Sequence, residues 1–245
     1  MIGTTPMIPL PDTATRAVKF FAAVAALSIG LEERAAGAQD DWAGLGRYRD
    51  DNARIASLPA DGNRVVFMGD SITDFWSQVG GLFREKSYVN RGISGQTTPQ
   101  MLVRFRQDVI DLRPAVVVIL AGTNDIAGNT GPSTPEMTED NLASMVDLAH
   151  ANRIRVVLSS ITPAFDYPWK PGLSPAEKIV GINRWIREYA SGHNCVYLDY
   201  FSAMADGRDG MRAEYSADGV HPNAAGYSVM EPLAERAIAS ARALR

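Results

Sequence analysis

Apolar positions along the chain change period several times, and each change predicts an element. Val65-Val66-Phe67-Met68 is an uninterrupted apolar run that stops abruptly at Gly69, Asp70 and Ser71. Four apolar residues in a row, two of them β-branched, predict a strand buried on both faces, as in a parallel sheet. Runs at Ala115–Leu120, Ile154–Leu158 and Val196–Leu198, with a short one around Tyr88 and Val89, predict four further strands. Between them the period becomes helical. Thr98–Leu112 carries Met101, Leu102, Phe105 and Val109 on one face, and Thr138–Ala151 passes the same test. Ser174–Ala190 places Ile179, Ile182, Ile186 and Tyr189 on one stripe, and Ala224–Leu244 turns Met230, Leu233, Ala234, Ala237 and Ile238 inward. The polar stretch from Asp40 to Pro59, with Trp42, Leu45, Tyr48 and Ile55 at near-helical spacing, predicts a helix lying against the domain. Five strands separated by helices imply an α/β class with right-handed crossovers and a parallel sheet covered on both faces. Two long loops interrupt the alternation, Thr162–Pro175, carrying Phe165, Tyr167 and Trp169, and Ser202–Val220.

Length adds that one sizeable core suffices, so 40–245 is expected to form a single domain. The first 39 residues differ. Arg16 and Lys19 precede the mostly apolar Phe20–Leu31, and Ala35-Ala36-Gly37-Ala38 supplies small residues before Gln39, a signal-peptide-like arrangement that predicts export to a periplasm or the medium. The apolar part is shorter than the roughly 20 residues that span a bilayer. Asp12 and Glu32-Glu33-Arg34 put charges where a signal sequence is usually basic or neutral, and the competing expectation is an N-terminal helical extension on a cytoplasmic protein. Net charge is −4, and no run of lysines or arginines is present to track a phosphate backbone, so nucleic acid is not an expected partner. Cys195 is the only cysteine, which rules out an internal disulfide and a thiolate metal cluster; Val196-Tyr197-Leu198 beside it predicts a packed strand residue. Any imidazole chemistry must use His150, His193 or His221.

Four polar clusters follow strand ends or sit in loops: Gly69-Asp70-Ser71, Asn90-Arg91-Gly92-Ile93-Ser94-Gly95, Gly122-Thr123-Asn124-Asp125 and Asp218-Gly219-Val220-His221-Pro222. Each alone is ordinary turn vocabulary. Together they hold the parts of acyl transfer. A serine hydroxyl attacks only when a neutral imidazole takes its proton, and a carboxylate on the other ring nitrogen fixes the tautomer. Ser71 is the candidate nucleophile, and Asp218 and His221, three apart, can supply acid and base from one loop. Candidate oxyanion donors are the N–H groups of Ser71 and Gly95 and the side-chain amide of Asn124. This chemistry calls for no cofactor.

In this order, the four clusters resemble the blocks of the SGNH hydrolases, also called the G-D-S-L lipase or esterase family. Gly69-Asp70-Ser71-Ile72 departs from the name only by isoleucine for leucine. The resemblance implies a three-layer α/β/α flavodoxin-like sandwich with Ser71 as nucleophile, His221 as base, Asp218 orienting it, and Gly95 and Asn124 joining Ser71 as oxyanion donors. It implies a small-molecule acyl ester as substrate; because no long apolar lid is evident in the sequence, short acyl groups are expected, such as acetate on a carbohydrate or small alcohol. A thioesterase or an acyltransferase would use the same residues, and a noncatalytic binding module would share the fold. Ser94 is a rival nucleophile, but Gln96 breaks the G-x-S-x-G spacing. Asp70, Asp74 and Asp125 allow a carboxylate metal site, although only His221 is placed to assist it. Asp74, Asp125 and Arg104 read more simply as supporting or surface groups. Trp76, Phe83, Phe165, Tyr167 and Trp169 are candidate walls for an acyl pocket, or else pack a loop edge or an oligomer contact.

Overall fold

A computed structural model describes residues 41–244 apart from 60, 80 and 85. The export signal and the competing N-terminal helix, both placed in 1–39, lie outside the described residues. The five buried runs form β1 (Val65–Gly69), β2 (Tyr88–Gly92), β3 (Val116–Leu120), β4 (Arg155–Ser159) and β5 (Val196–Leu198), all parallel in the order β2-β1-β3-β4-β5. The chain leaves β1 to one side for β2 and crosses back to the other for β3. The two neighbours of β1 therefore diverge at its carboxyl end, where ligands bind in open α/β sheets.

The helices are α1 (Arg49–Ser57), α2 (Ser71–Val79), α3 (Thr98–Asp108), α4 (Thr123–Ala127), α5 (Pro135–Ala151), α6 (Ala176–Gly192), α7 (Phe201–Met204) and α8 (Ala224–Ala243). Alternate residues of each strand feed two cores. Val66, Met68, Val117, Ile119, Val156 and Leu158 pack with Met101 and Phe105 of α3, Met145 of α5 and Ile182 of α6. Val65, Phe67, Val116, Val118 and Leu120 pack on the other face with Trp76 of α2 and Met230, Ala234 and Ile238 of α8. The result is the three-layer α/β/α sandwich. No helix among the described residues is long and apolar enough to cross a membrane.

The departures from the apolar pattern have local causes. Residues 41–48 make turns, and the helix expected there begins only at Arg49. The helix expected over 98–112 ends at Asp108, followed by a 3₁₀ turn, Ile110–Leu112, and by Arg113 at φ 52°. Pro114 disfavours a helical residue before it, so the chain turns into β3 instead. β2 runs on to Gly92 because Asn90 and Arg91 pair with Phe67 and Met68 of β1 while their polar side chains find partners of their own. α2, α4 and α7 are short or begin in polar turns, where hydrophobic period carries little signal.

Arg104 is not the surface group that its charge suggests. It is fully buried, its Nη1 donating to Asp108 at 2.8 Å and its Nε to Gln96 Oε1 at 2.6 Å. Its Nη2 donates to the carbonyls of Gly69 (3.0 Å) and Arg91 (2.8 Å), at the ends of β1 and β2. Asp108 also accepts from Asn52 (2.5 Å), whose side-chain oxygen accepts from Arg91 Nε (2.9 Å), so α1 is fastened to the same knot. Replacing Arg104 by Ala leaves the Asp108 carboxylate buried without its cation and is expected to lower the unfolding free energy by about 3–5 kcal/mol. Urea unfolding measures it; a loss in the surface-substitution range of about 0.5 kcal/mol would show that the network does not support the fold.

Candidate active site

Register brings the clusters level. Gly69 pairs with Gly92 on one side and Leu120 on the other, so the loops after β1, β2 and β3 leave the sheet at one height. Ser71 follows β1 directly as the first residue of α2, where N–H groups lack an intrahelical acceptor. Its Oγ lies 2.9 Å from His221 Nε2, and His221 Nδ1 lies 2.7 Å from Asp218 Oδ2. The second Asp218 oxygen accepts from the N–H groups of Val220 (2.9 Å) and His221 (2.8 Å) and from Ser216 Oγ (3.0 Å), which shapes the loop that delivers the ring. Asn223 ends that loop by capping α8 through the N–H groups of Ala225 and Gly226.

The three candidate donors collect beside this chain. Ile93 donates to the Gly69 carbonyl at 3.0 Å and Gln96 to the Ile93 carbonyl at 3.2 Å, closing a turn over Ser94 and Gly95. Gly95 takes φ +80°, which glycine tolerates without strain. Gly92, the other glycine of the cluster, has its N–H engaged by Asn90 Oδ1, and a Cβ there would fall 2.2 Å from the Asp74 nitrogen, so its role is close packing of β2 against α2. Asn124 is buried on α4, its Nδ2 donating to the Gln96 carbonyl at 3.0 Å. An amide nitrogen carries two N–H bonds, so one remains to donate. Asp125 holds α4 against α3 by accepting from the N–H and hydroxyl of Thr98.

The other sequence candidates separate from this group. Ser94 donates its hydroxyl to Asp74 at 2.7 Å, and Asp70 accepts from the Ile72 N–H, so the three carboxylates of the supposed metal site each serve a different turn. His150 lies 3.9 Å from Cys195 Sγ, and His193 stacks on Tyr189 with ring centres 3.8 Å apart. Cys195 sits just before β5, its thiol pushed up to about 12 by burial first and by Asp147 second. Trp76 is a core residue, stacked on Tyr227, and Phe83 is half-buried against the same core, packed on Phe67. Tyr167 is buried with its hydroxyl against Thr123, and Trp169 stacks on it, 5.8 Å from the His221 ring. Phe165 is exposed under Arg208. Phe75, which the sequence reading did not single out, stands 5.4 Å from His221. Its signal was the spacing of four from Ser71, which puts both on one face of α2.

The site's carboxyls are driven in opposite directions. Burial pushes Asp218 up, but the His221 ring and the N–H groups of His221 and Val220 outweigh it and hold the carboxyl well below the usual range. Asp70, adjacent to the serine and almost wholly buried, is raised to about 6, by burial above all and by Asp125, against the Ile72 N–H and His221, which lower it. Asp125 is raised as well, again mainly by burial.

The pattern of the GDSL-like lipase/acylhydrolase family matches residues 67–229. A human protein named isoamyl acetate-hydrolyzing esterase 1 homolog is 30% identical over 211 residues, which cover 72% of this chain and 83% of that protein. The crystal structure of a GDSL-like lipase from Bacteroides thetaiotaomicron superposes with a TM-score of 0.79 at 44% identity, covering 81% of this chain and 98% of that one. An acetylxylan esterase from Geobacillus stearothermophilus shares the fold at 21% identity, with a TM-score of 0.58 over 73% of this chain and 95% of that one. A parallel α/β sandwich with this match is a carboxylic ester hydrolase. The chain belongs to the GDSL-like lipase/acylhydrolase, or SGNH hydrolase, family.

Asp70 makes stability depend on pH. The fold favours its protonated form, so that contribution is complete below the unfolded pKa near 3.8 and is lost as pH rises through about 6. At about 1.4 kcal/mol per pH unit between those two values, the ionised carboxyl costs about 3 kcal/mol above them. Asp70→Asn carries no such charge, and its unfolding free energy is expected to gain about 3 kcal/mol on wild type between about pH 4 and about pH 8. Parallel urea titrations test this, and a gap that stays constant with pH would show that Asp70 remains ionised in the fold.

Proposed function

We propose that this protein hydrolyses esters of short acyl groups through an acyl-enzyme on Ser71. The observation that carries the proposal is the unbroken chain from Ser71 Oγ to His221 (2.9 Å) and from His221 to Asp218 (2.7 Å). His221 Nε2 takes the Ser71 proton as Oγ bonds to the ester carbonyl carbon, and the carbonyl π pair moves onto oxygen. The N–H groups of Ser71 and Gly95 and the free N–H of the Asn124 amide receive that oxyanion. Collapse breaks the bond to the leaving alcohol, whose oxygen takes the proton from His221. Water then repeats the sequence on the acyl-serine and releases the acid. The Asp218 carboxyl, held down in pKa by His221 and two backbone N–H groups, stays ionised throughout and keeps Nδ1 protonated.

The human relative, named for hydrolysis of an acetate ester, supports a short acyl group. So does the fastening of the loop nearest the base. Asp166 accepts from the N–H groups of Tyr167 (2.9 Å) and Gly172 (2.7 Å), and Lys170 donates to the Ala127 carbonyl at 2.6 Å. These contacts tie down the loop that carries Trp169 beside His221, which supports a wall over a lid for a long chain.

Incubation with a fluorophosphonate followed by intact-mass measurement is expected to give one adduct on wild type and none on Ser71→Ala; an adduct on the variant would move the nucleophile elsewhere. Turnover of p-nitrophenyl esters from acetate to palmitate is expected to be highest for the shortest chains, and an optimum at palmitate would overturn the short-acyl reading. Asn124→Ala is expected to lower kcat by about 10²–10³, and a change confined to KM would remove Asn124 from the oxyanion hole.

A further inference from the structure

Asn129 plays no part in the four sequence clusters, yet it touches two of the three proposed oxyanion donors. α4 ends in Gly128 at φ 70°, which folds the chain back so that the Asn129 N–H donates to the Asn124 carbonyl at 3.1 Å. The Asn129 side-chain nitrogen then makes two contacts, 2.9 Å to Asn124 Oδ1 and 3.0 Å to the Gly95 carbonyl. An NH₂ group has two donors, and both are spent on the site.

Each contact removes a freedom that the chemistry cannot tolerate. A primary amide can turn about its last torsion and present oxygen where nitrogen is needed. With Asn124 Oδ1 held by a donor, Nδ2 is the end that faces the Gln96 carbonyl and the site. Gly95, at φ +80° and without a side chain, has little of its own to fix its peptide planes. Asp74 holds the preceding residue through the Ser94 hydroxyl (2.7 Å) and N–H (3.3 Å), and Asn129 holds the carbonyl of Gly95 itself, so the glycine is fastened on both sides. Two rigid donors placed before the charge develops are worth more than two that must reorient.

We infer that Asn129 is a positioning residue that locks the Asn124 amide and the Gly95 backbone into the donor geometry of the oxyanion hole. The inference rests on the proposed oxyanion roles of Asn124 and Gly95. Because Asn129 is itself exposed, its side chain is not part of the core, and its removal is expected to leave unfolding by urea close to wild type.

The test compares Asn129→Ala with Asn129→Asp, alone and in Asn124→Ala, by steady-state kinetics on p-nitrophenyl acetate. Asn129→Ala is expected to lower kcat about ten-fold with KM nearly unchanged, the effect of one lost hydrogen bond on a transition state. Asn129→Asp, although isosteric, offers only acceptors to Asn124 Oδ1 and the Gly95 carbonyl, drives the amide to flip, and is expected to cost about a hundred-fold, more than Ala. In the Asn124→Ala background, Asn129→Ala is expected to cost clearly less than it does alone, because half of its task is gone. A residue that merely packs the loop would tolerate Asp better than Ala, and that order, wild-type kcat in both variants, or loss proportional to the unfolded fraction seen by circular dichroism would overturn the inference. If Asn124→Ala alone leaves kcat unchanged, the oxyanion reading fails first. If Asn124→Ala is slow while Asn129→Asp is not, only the role of Asn129 is lost.

Discussion

The Arg104 guanidinium, buried among acceptors from four separate segments, is the interaction on which the rest of this structure depends. Strand ends are where a parallel sheet runs out of partners, and a buried carbonyl without a donor costs as much as a lost hydrogen bond. Arg104 meets the carbonyls of Gly69 and Arg91 there, while Asp108 balances its charge and Gln96 is drawn toward it. The Gly69 carbonyl also accepts from Ile93. The end of β1 and the turn carrying Gly95 are therefore built on one shared atom, two residues before Ser71. The spacing between the serine and its proposed oxyanion donor is thus anchored in the core, and the rim contacts of Asp74 and Asn129 complete it.

Around that core the site combines groups that are comfortable with groups that are not. Asp218 is ionised and saturated with donors, whereas Asp70, one residue from the serine, is buried with the Ile72 N–H as its direct donor and resists ionisation. The hydrogen bonds that hold the proposed donors follow the same division of labour. Asp125 and Thr98 join α4 to α3 in the buried part, and Asp74, Ser94 and Asn129 complete the rim where solvent reaches.

How far this was legible before the fold differs by element. The strands and long helices were readable because period and burial coincide: Val65–Met68, Ile179–Ile186 and Met230–Ile238 carry their environment in their spacing. Acyl transfer restricts residue types so tightly that Gly69-Asp70-Ser71 and Asp218–His221 stand out in the sequence, and the fold brings Ser71, His221 and Asp218 within hydrogen-bond distance in that order. Of the two readings of Arg104, the supporting one holds and the surface one fails, because charge predicts exposure until partners are known; Arg91 in β2 hides its strand for the same reason. Size alone left Trp76 and Phe83 open between a pocket wall and a packing role, and the fold gives both the packing role, Trp76 within the core and Phe83 half-buried against it.

What the sequence by itself determined was a parallel α/β layout and the residue types of an ester-hydrolysing site, since both follow from local pattern and from what the reaction requires. Only tertiary structure decided which residues hold them. The contact of Asn129 with Asn124 and Gly95, the place of Phe75 and Trp169 beside His221, and the seat of Arg104 join segments far apart in the chain. No local spacing encodes such contacts. They exist because sheet register and the crossover around β1 bring those segments level, and a register is a property of paired strands, not of either one alone.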